Sequence, residues 1–372
     1  MNHRRQFFRQ NALGVASLAL PSMFASEGLC AATEINQRTH HQPTATNVIF
    51  MYQIGAPSQF DLFDCKPVLN DRDGEDLPQS FLDRIEFAQI QEANPKLMGT
   101  PYKFAQHGES GQWVSELMPY TAKIVDQVSF VHTCQAEDNN HMFAELQMNT
   151  GWRRFGRPSF GSWVLYGLGT ESQNLPGFMV LRSGMHPRSK GANYGAGFLP
   201  GTMQGTPFQS TGPSILNLAN PDGFSQQSQR ATVNAVNQLN RLRAEANPDP
   251  DIETRIVNYE LAFKMQSSAP ELLDLSGETD ETLNLYGITD PNQPSYARNC
   301  LLARRLVERG VRFVEVFHGD WDHHTSIYQR LPGECKTTDQ ASAALVLDLQ
   351  RRGLLQDTLV IWGSEFGRSS VA

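Results

Sequence analysis

Cysteine is scarce in this chain, and none of it is spaced for short-range chemistry. There are five cysteines in 372 residues, and no two stand in a CxxC spacing, which argues against a zinc ribbon or a thioredoxin-type redox site. Runs of Lys or Arg are missing as well. With a formal net charge of −8 and no basic patch, nucleic acid is not an expected partner. No stretch reaches the roughly 20 consecutive apolar residues that a membrane span needs, so stable membrane insertion is not expected. There is no internal repeat and no low-complexity tract. What is present is ordinary for a globular enzyme, 40% hydrophobic and 19% charged residues, in a length that suits one large domain or two.

The N-terminus differs in kind from the rest. His3-Arg4-Arg5-Gln6-Phe7-Phe8-Arg9 precedes a short, weak apolar run, Ala12–Leu20, and then small residues up to Ala32. A basic start, a short apolar run and small residues read as a signal peptide over 1–31, the alternative being a frayed amphipathic terminus. The paired arginines followed by two Phe resemble a twin-arginine signal, which implies an exported, periplasmic or extracellular protein. Such proteins fold before export, in a reducing compartment. Cys30 belongs to the leader, and Cys65, Cys134, Cys300 and Cys335 are therefore expected mostly as free thiols. Polar residues 32–46 read as a linker. Residues 47–372 then form a single domain, with a loop-rich and helical insertion at about 183–290.

Two segments near the C-terminus set the fold class. Val311–Phe317 and Thr358–Trp362 are runs of β-branched and apolar residues, each preceded by a helical segment (Ala297–Arg309 and Ser342–Gly353) and a Gly. Helix, Gly and buried strand, twice over, predict a doubly wound α/β fold with a mostly parallel sheet. Val48–Tyr52 is the first strand, and Pro176–Leu181 a further one. Ile124–Val131 is read as a second strand after a helix-like stretch, Val114–Ala122. His141–Met148 is read as a helix capped by Asp138 or Asn139, and 226–246 and 252–266 as two further helices.

Both C-terminal strands deliver acids to the sheet edge where α/β proteins bind ligands. After the first come Asp320, Asp322, His323 and His324; after the second come Glu365 and Arg368. Asp322 and His324, two residues apart, can face one cleft, and carboxylate with imidazole is a common divalent-metal pairing; the other reading is a solvated acidic loop. Glu365 is a further metal candidate. Ser58, Asp61 and Asp64 follow the turn at Gly55: Asp61 is a candidate ligand, Ser58 a candidate nucleophile, and an Asx-type turn is the structural alternative. His141, at a helix start, can act as ligand, acid/base or cap partner. Arg368 and Asn140 are candidate substrate-binding residues. Asp322, His324 and Glu365 are expected around one cleft, Asp61 and His141 on its opposite rim, and His323 pointing elsewhere.

Gly55–Asp64, Cys300–Phe313, Trp321-Asp322-His323-His324 and Ser364–Arg368 together resemble the bacterial family called domain of unknown function 1501, common in planctomycetes and usually exported. The resemblance runs from about residue 40 to the end. It implies an alkaline-phosphatase- and sulfatase-like fold, whose members hydrolyse phosphate or sulfate esters at one or two metals. In that comparison Asp322 and His324 resemble an Asp/His ligand pair. Glu365 stands where the superfamily has an Asp ligand, and Phe366 where it has a His. Asp61 is the only acid near the first-strand ligand position, and His141 falls at the nucleophile position. The family normally continues past Arg368, so the chain is expected to be C-terminally incomplete. The resemblance implies a divalent metal ion (zinc, calcium or manganese) and a small anionic ester or a sulfated or phosphorylated glycan as partner. Two functions follow: an exported metal-dependent ester hydrolase, or a non-catalytic extracytoplasmic binding protein on the same fold.

Overall fold

The computed structural model describes residues 41–82, 94–208, 223–247 and 249–371, and the leader and most of the linker lie outside them. From residue 46 on, these residues form one compact unit. Its centre is a five-stranded sheet made of β1 (Asn47–Gln53), β4 (Phe178–Ser183), β5 (Thr206–Pro207), β6 (Phe313–His318) and β7 (Thr358–Gly363), in the order β5-β4-β6-β1-β7. Every pairing among these strands is parallel.

Near-continuous apolar sequences form these strands because both faces of the sheet are covered. On one face Ile49, Met51, Met179, Leu181, Val314 and Val316 pack against α7 (Pro250–Leu273), α8 (Asp280–Tyr286), α9 (Tyr296–Glu308) and α10 (Ile327–Arg351). On the other, Val48, Phe50, Tyr52, Phe178, Val180, Phe313 and Phe317 meet α5 (Phe160–Leu168) and the turns carrying Tyr194 and Met203. The second face also carries a fully buried carboxylate, Glu315, in the central strand β6, with its Oε1 atom unpartnered among the described residues. Burial alone pushes its carboxyl well above the usual range.

Parallel pairing brings the strand ends to a common edge. Gln53 and Ser183 both stand opposite His318, and Gly363 stands opposite Tyr52. All four cysteines of this unit are free thiols. Among the described residues no helix is long and apolar enough to cross a membrane.

Several sequence expectations are corrected. Ile124–Val131 is not a strand; single 3-10 turns occupy Thr121–Lys123 and Val125–Gln127. Ile124 packs on Ala343 and Val346 of α10, while Val131 is 68% exposed, so the segment has no sheet neighbour to pair with. The stretch at 114–122 is not a helix: it begins in β3 (Gln112–Ser115), which pairs antiparallel with β2 (Phe104–His107). The helix after it, α4 (His141–Thr150), is capped by Asn140 rather than Asp138 or Asn139. Within the expected insertion, residues 209–222 are not described. Its long helix α7 sends Met265, Ala269 and Leu272 into the main core, so that part is built into the domain. It packs on α6 (Gln226–Ala246).

Candidate metal centre

The turn after β1 decides where the edge loops can go. Gly55 has φ +108°, and a Cβ there would lie 2.4 Å from the Asp322 amide nitrogen and 2.9 Å from the Trp321 carbonyl carbon. Only glycine fits that conformation and that gap. The loop following β6 therefore lies directly on the β1 turn, anchored by buried Trp321, whose Nε1 donates to Gln53 Oε1 at 3.0 Å. From β7, Glu365 reaches the same turn and accepts the Gly55 amide at 2.8 Å. Its other oxygen accepts from Ser364 Oγ at 2.8 Å.

The third contribution comes from α4. Asn140 accepts the Met142 amide at 3.0 Å, which fixes the first turn. His141 is thereby buried between the other two loops. Its Nδ1 lies 2.7 Å from Glu365 Oε1, and its Nε2 lies 3.2 Å from Asp322 Oδ1. His324 Nε2 approaches the same oxygen at 2.8 Å. These donor atoms of His141, Asp322 and His324 lie within 4.8 Å of one another, a group able to hold a metal ion. With Glu365 accepting a proton from Nδ1, His141 turns the lone pair of Nε2 toward the group, as metal-bound imidazoles do when a carboxylate backs them. His324 is half exposed, so the group opens to solvent on that side.

Two arginines frame Asp322. Arg188 donates to Oδ2, and Arg368 NH1 donates to Oδ1 at 3.1 Å. Burial penalises the Asp322 carboxylate, but the imidazoles of His141 and His324 and the guanidinium of Arg368 outweigh it and hold its pKa below the usual range. One turn further along α4, buried Glu145 accepts the amides of Arg188 and Ser189 and the Asn193 side chain. Burial nonetheless raises its carboxyl, with the Glu365 charge adding to the rise. Tyr52 lies under the site, and its phenol is pushed well above its usual range by burial and then by Glu365 and Glu145.

The sequence candidates thus sort by position. Asp322 and His324 come together as expected, and His141 joins them as a third donor. Glu365, expected as a ligand, stands instead behind His141 on the opposite ring nitrogen. Asp61 is apart from the group. It is buried, accepts from Ser58 Oγ at 2.6 Å, and its charge is felt by Tyr102, Tyr328 and Cys335. Burial raises its pKa, partly offset by the Ser58 bond. Ser58 is buried and spends its proton on that carboxylate, and no imidazole among the described residues is bonded to it. Asn140 is the helix cap. Arg368 is engaged by Asp322 and by the carbonyls of Gly55 and His323. His323 is not a member of the group; it is buried, its carbonyl accepts from Arg368, and its pKa is lowered first by burial. Sequence reasoning missed Arg188 and Glu145; the one signal present was that Glu145 follows His141 by one helical turn and so shares its face.

Fold and site together define an α/β protein with a two-histidine, one-carboxylate group at the C-terminal edge of a parallel sheet. The family described as "Protein of unknown function (DUF1501)" matches residues 45–371, and the chain belongs to it. No curated protein and no solved structure matches.

Proposed function

We propose that this protein is an exported, metal-dependent hydrolase of small anionic esters, phosphate or sulfate, on a doubly wound fold of the alkaline phosphatase and sulfatase kind. The observation that carries the reading is the convergence of His141 Nε2, Asp322 Oδ1 and His324 Nε2, with Glu365 backing His141. Three protein donors with one open side is the pattern of catalytic rather than structural zinc sites. Two imidazoles and a single carboxylate suit zinc or manganese better than calcium, which takes six to eight oxygens. A divalent ion held there would supply Lewis acidity toward an ester oxygen and lower the pKa of water. The chain's own residues do the rest. Glu365 fixes the tautomer and direction of His141. Arg188, exposed at the rim, offers guanidinium N–H groups to an anionic ester oxygen. Glu145 holds the backbone beneath Arg188 and so sets its reach.

The test is turnover of an aryl phosphate and an aryl sulfate with zinc or manganese supplied. Asp322→Asn is expected to abolish cleavage while leaving the fold intact by circular dichroism. Arg188→Ala is expected to raise KM more than it lowers kcat, since it removes ground-state anion binding. A second reading, a non-catalytic binding protein, is favoured by one observation: two guanidinium and two imidazole groups already satisfy Asp322. Metal uptake without turnover of any ester would select it.

A further inference from the structure

A second cluster of chemistry-bearing side chains stands at the same sheet edge, outside the metal group. Ser183 ends β4 and His318 ends β6, and the strand register sets them side by side. Ser183 Oγ lies 2.9 Å from His318 Nδ1. The other ring nitrogen, Nε2, lies 3.3 Å from Glu334 Oε2 on α10. A carboxylate at Nε2 places the ring proton there, which leaves the Nδ1 lone pair to accept from the serine hydroxyl. His318 is buried, with its ring 4.9 Å from that of Tyr296, so its orientation is fixed. Ser183 is only part-buried, and the chain after it, Gly184-Met185-His186, is exposed. Gly184 turns the chain sharply at φ +66°, and a Cβ there would meet Gly319 backbone at 3.1 Å. Nucleophile, base and orienting acid in hydrogen-bond sequence on separate elements is the arrangement that activates a serine.

We propose that Ser183, His318 and Glu334 form a metal-independent acyl-transfer site for carboxylic esters. In the first step the Ser183 proton passes to His318 Nδ1 as Oγ attacks the acyl carbon. The ester C–O bond then breaks, and the leaving alcohol takes the proton from His318. Water, deprotonated by His318, next attacks the acyl-serine and releases the carboxylic acid and free Ser183. Glu334 is a positioning residue, holding the imidazole through Nε2. The site shares no hydrogen bond or ion pair with His141, Asp322 or His324 among the described residues, so it operates with the metal removed.

The experiment treats the full chain, in excess EDTA, with a fluorophosphonate probe, and maps the adduct by peptide mass spectrometry. One adduct on Ser183 is expected, absent in Ser183→Ala, together with an acyl burst from p-nitrophenyl acetate. His318→Asn should slow labelling about 100-fold or more, the scale of a lost general base. Glu334→Gln should lower the maximal labelling rate without changing the probe's half-saturating concentration, a split that mere loosening of the fold would not give. No adduct on Ser183, or equal labelling rates in wild type and folded His318→Asn, would overturn the proposal. If His318→Asn does not fold, Glu334→Gln decides, and an unchanged maximal rate there overturns it.

Discussion

Gly55→Ala is expected to destabilise the protein by about 2–6 kcal/mol and to abolish metal binding at the His141–Asp322–His324 group. Two costs add. An L-residue held at a φ of +108° is strained by about 1–3 kcal/mol. A methyl group 2.4 Å from the Asp322 nitrogen overlaps backbone rather than a movable side-chain tip, an overpacking cost of about 1–3 kcal/mol. The neighbouring Trp321 is buried and bonded to Gln53, so the loop cannot swing aside without giving up that contact. The atom displaced first belongs to Asp322, which is why stability and metal affinity should fall together. Urea unfolding monitored by tryptophan fluorescence measures the first, and zinc titration the second. A variant with wild-type midpoint and wild-type zinc affinity would show that the loop does not rest on Gly55.

Glu315→Gln is expected to remove much of the protein's loss of stability at rising pH. Burial raises the Glu315 carboxyl in the folded state, and no other group among the described residues offsets it. The sign follows from that direction. An acid with a raised folded pKa contributes stability fully below its unfolded value, near 4.3, and loses it as pH rises toward the folded value. Each pH unit in that window costs about 1.4 kcal/mol. Asp61, Glu145 and Asp339 are raised by burial as well, so the wild-type curve alone does not isolate one group. The difference between variant and wild type does. Denaturant midpoints between pH 4.5 and 8.5 should diverge, with Glu315→Gln gaining on the wild type as pH rises. Parallel curves would mean that Glu315 is as easily ionised folded as unfolded.

The chain announces its sheet more clearly than its site. β1, β4 and β6 are legible because strands buried on both faces must be almost continuously apolar, and β7 reads the same way although it stands at the sheet edge with Leu359 exposed. Ile124–Val131 has the same apolar look and forms no strand, because burial of Ile124 and Val125 against helices satisfies the sequence equally well. Composition does not tell a strand partner from a helix surface. At the site, Asp322 and His324 are legible from their spacing after a strand, a local relation. The pairing of Glu365 with His141 joins residues 224 positions apart, and nothing in either segment encodes on which ring nitrogen the acid lands. Arg188 lay hidden in a Gly- and Ser-rich stretch that reads as loop. Its role comes from Glu145, which holds that loop's amides. Ser183 and His318 become neighbours only through the register of two strands far apart in sequence.

A metal held by His141, Asp322 and His324 is tested most plainly by direct metal analysis of the purified full chain. Equilibrated with zinc and freed of excess, the wild type should carry one ion per chain, with an X-ray absorption spectrum showing two imidazoles in a nitrogen and oxygen shell. Glu365→Gln should retain the fold and bind zinc about 10- to 100-fold more weakly, as expected when the acid behind a metal-bound histidine is neutralised. A folded wild type that emerges zinc-free, or one whose bound zinc is unaffected by both Asp322→Asn and Glu365→Gln, would contradict it.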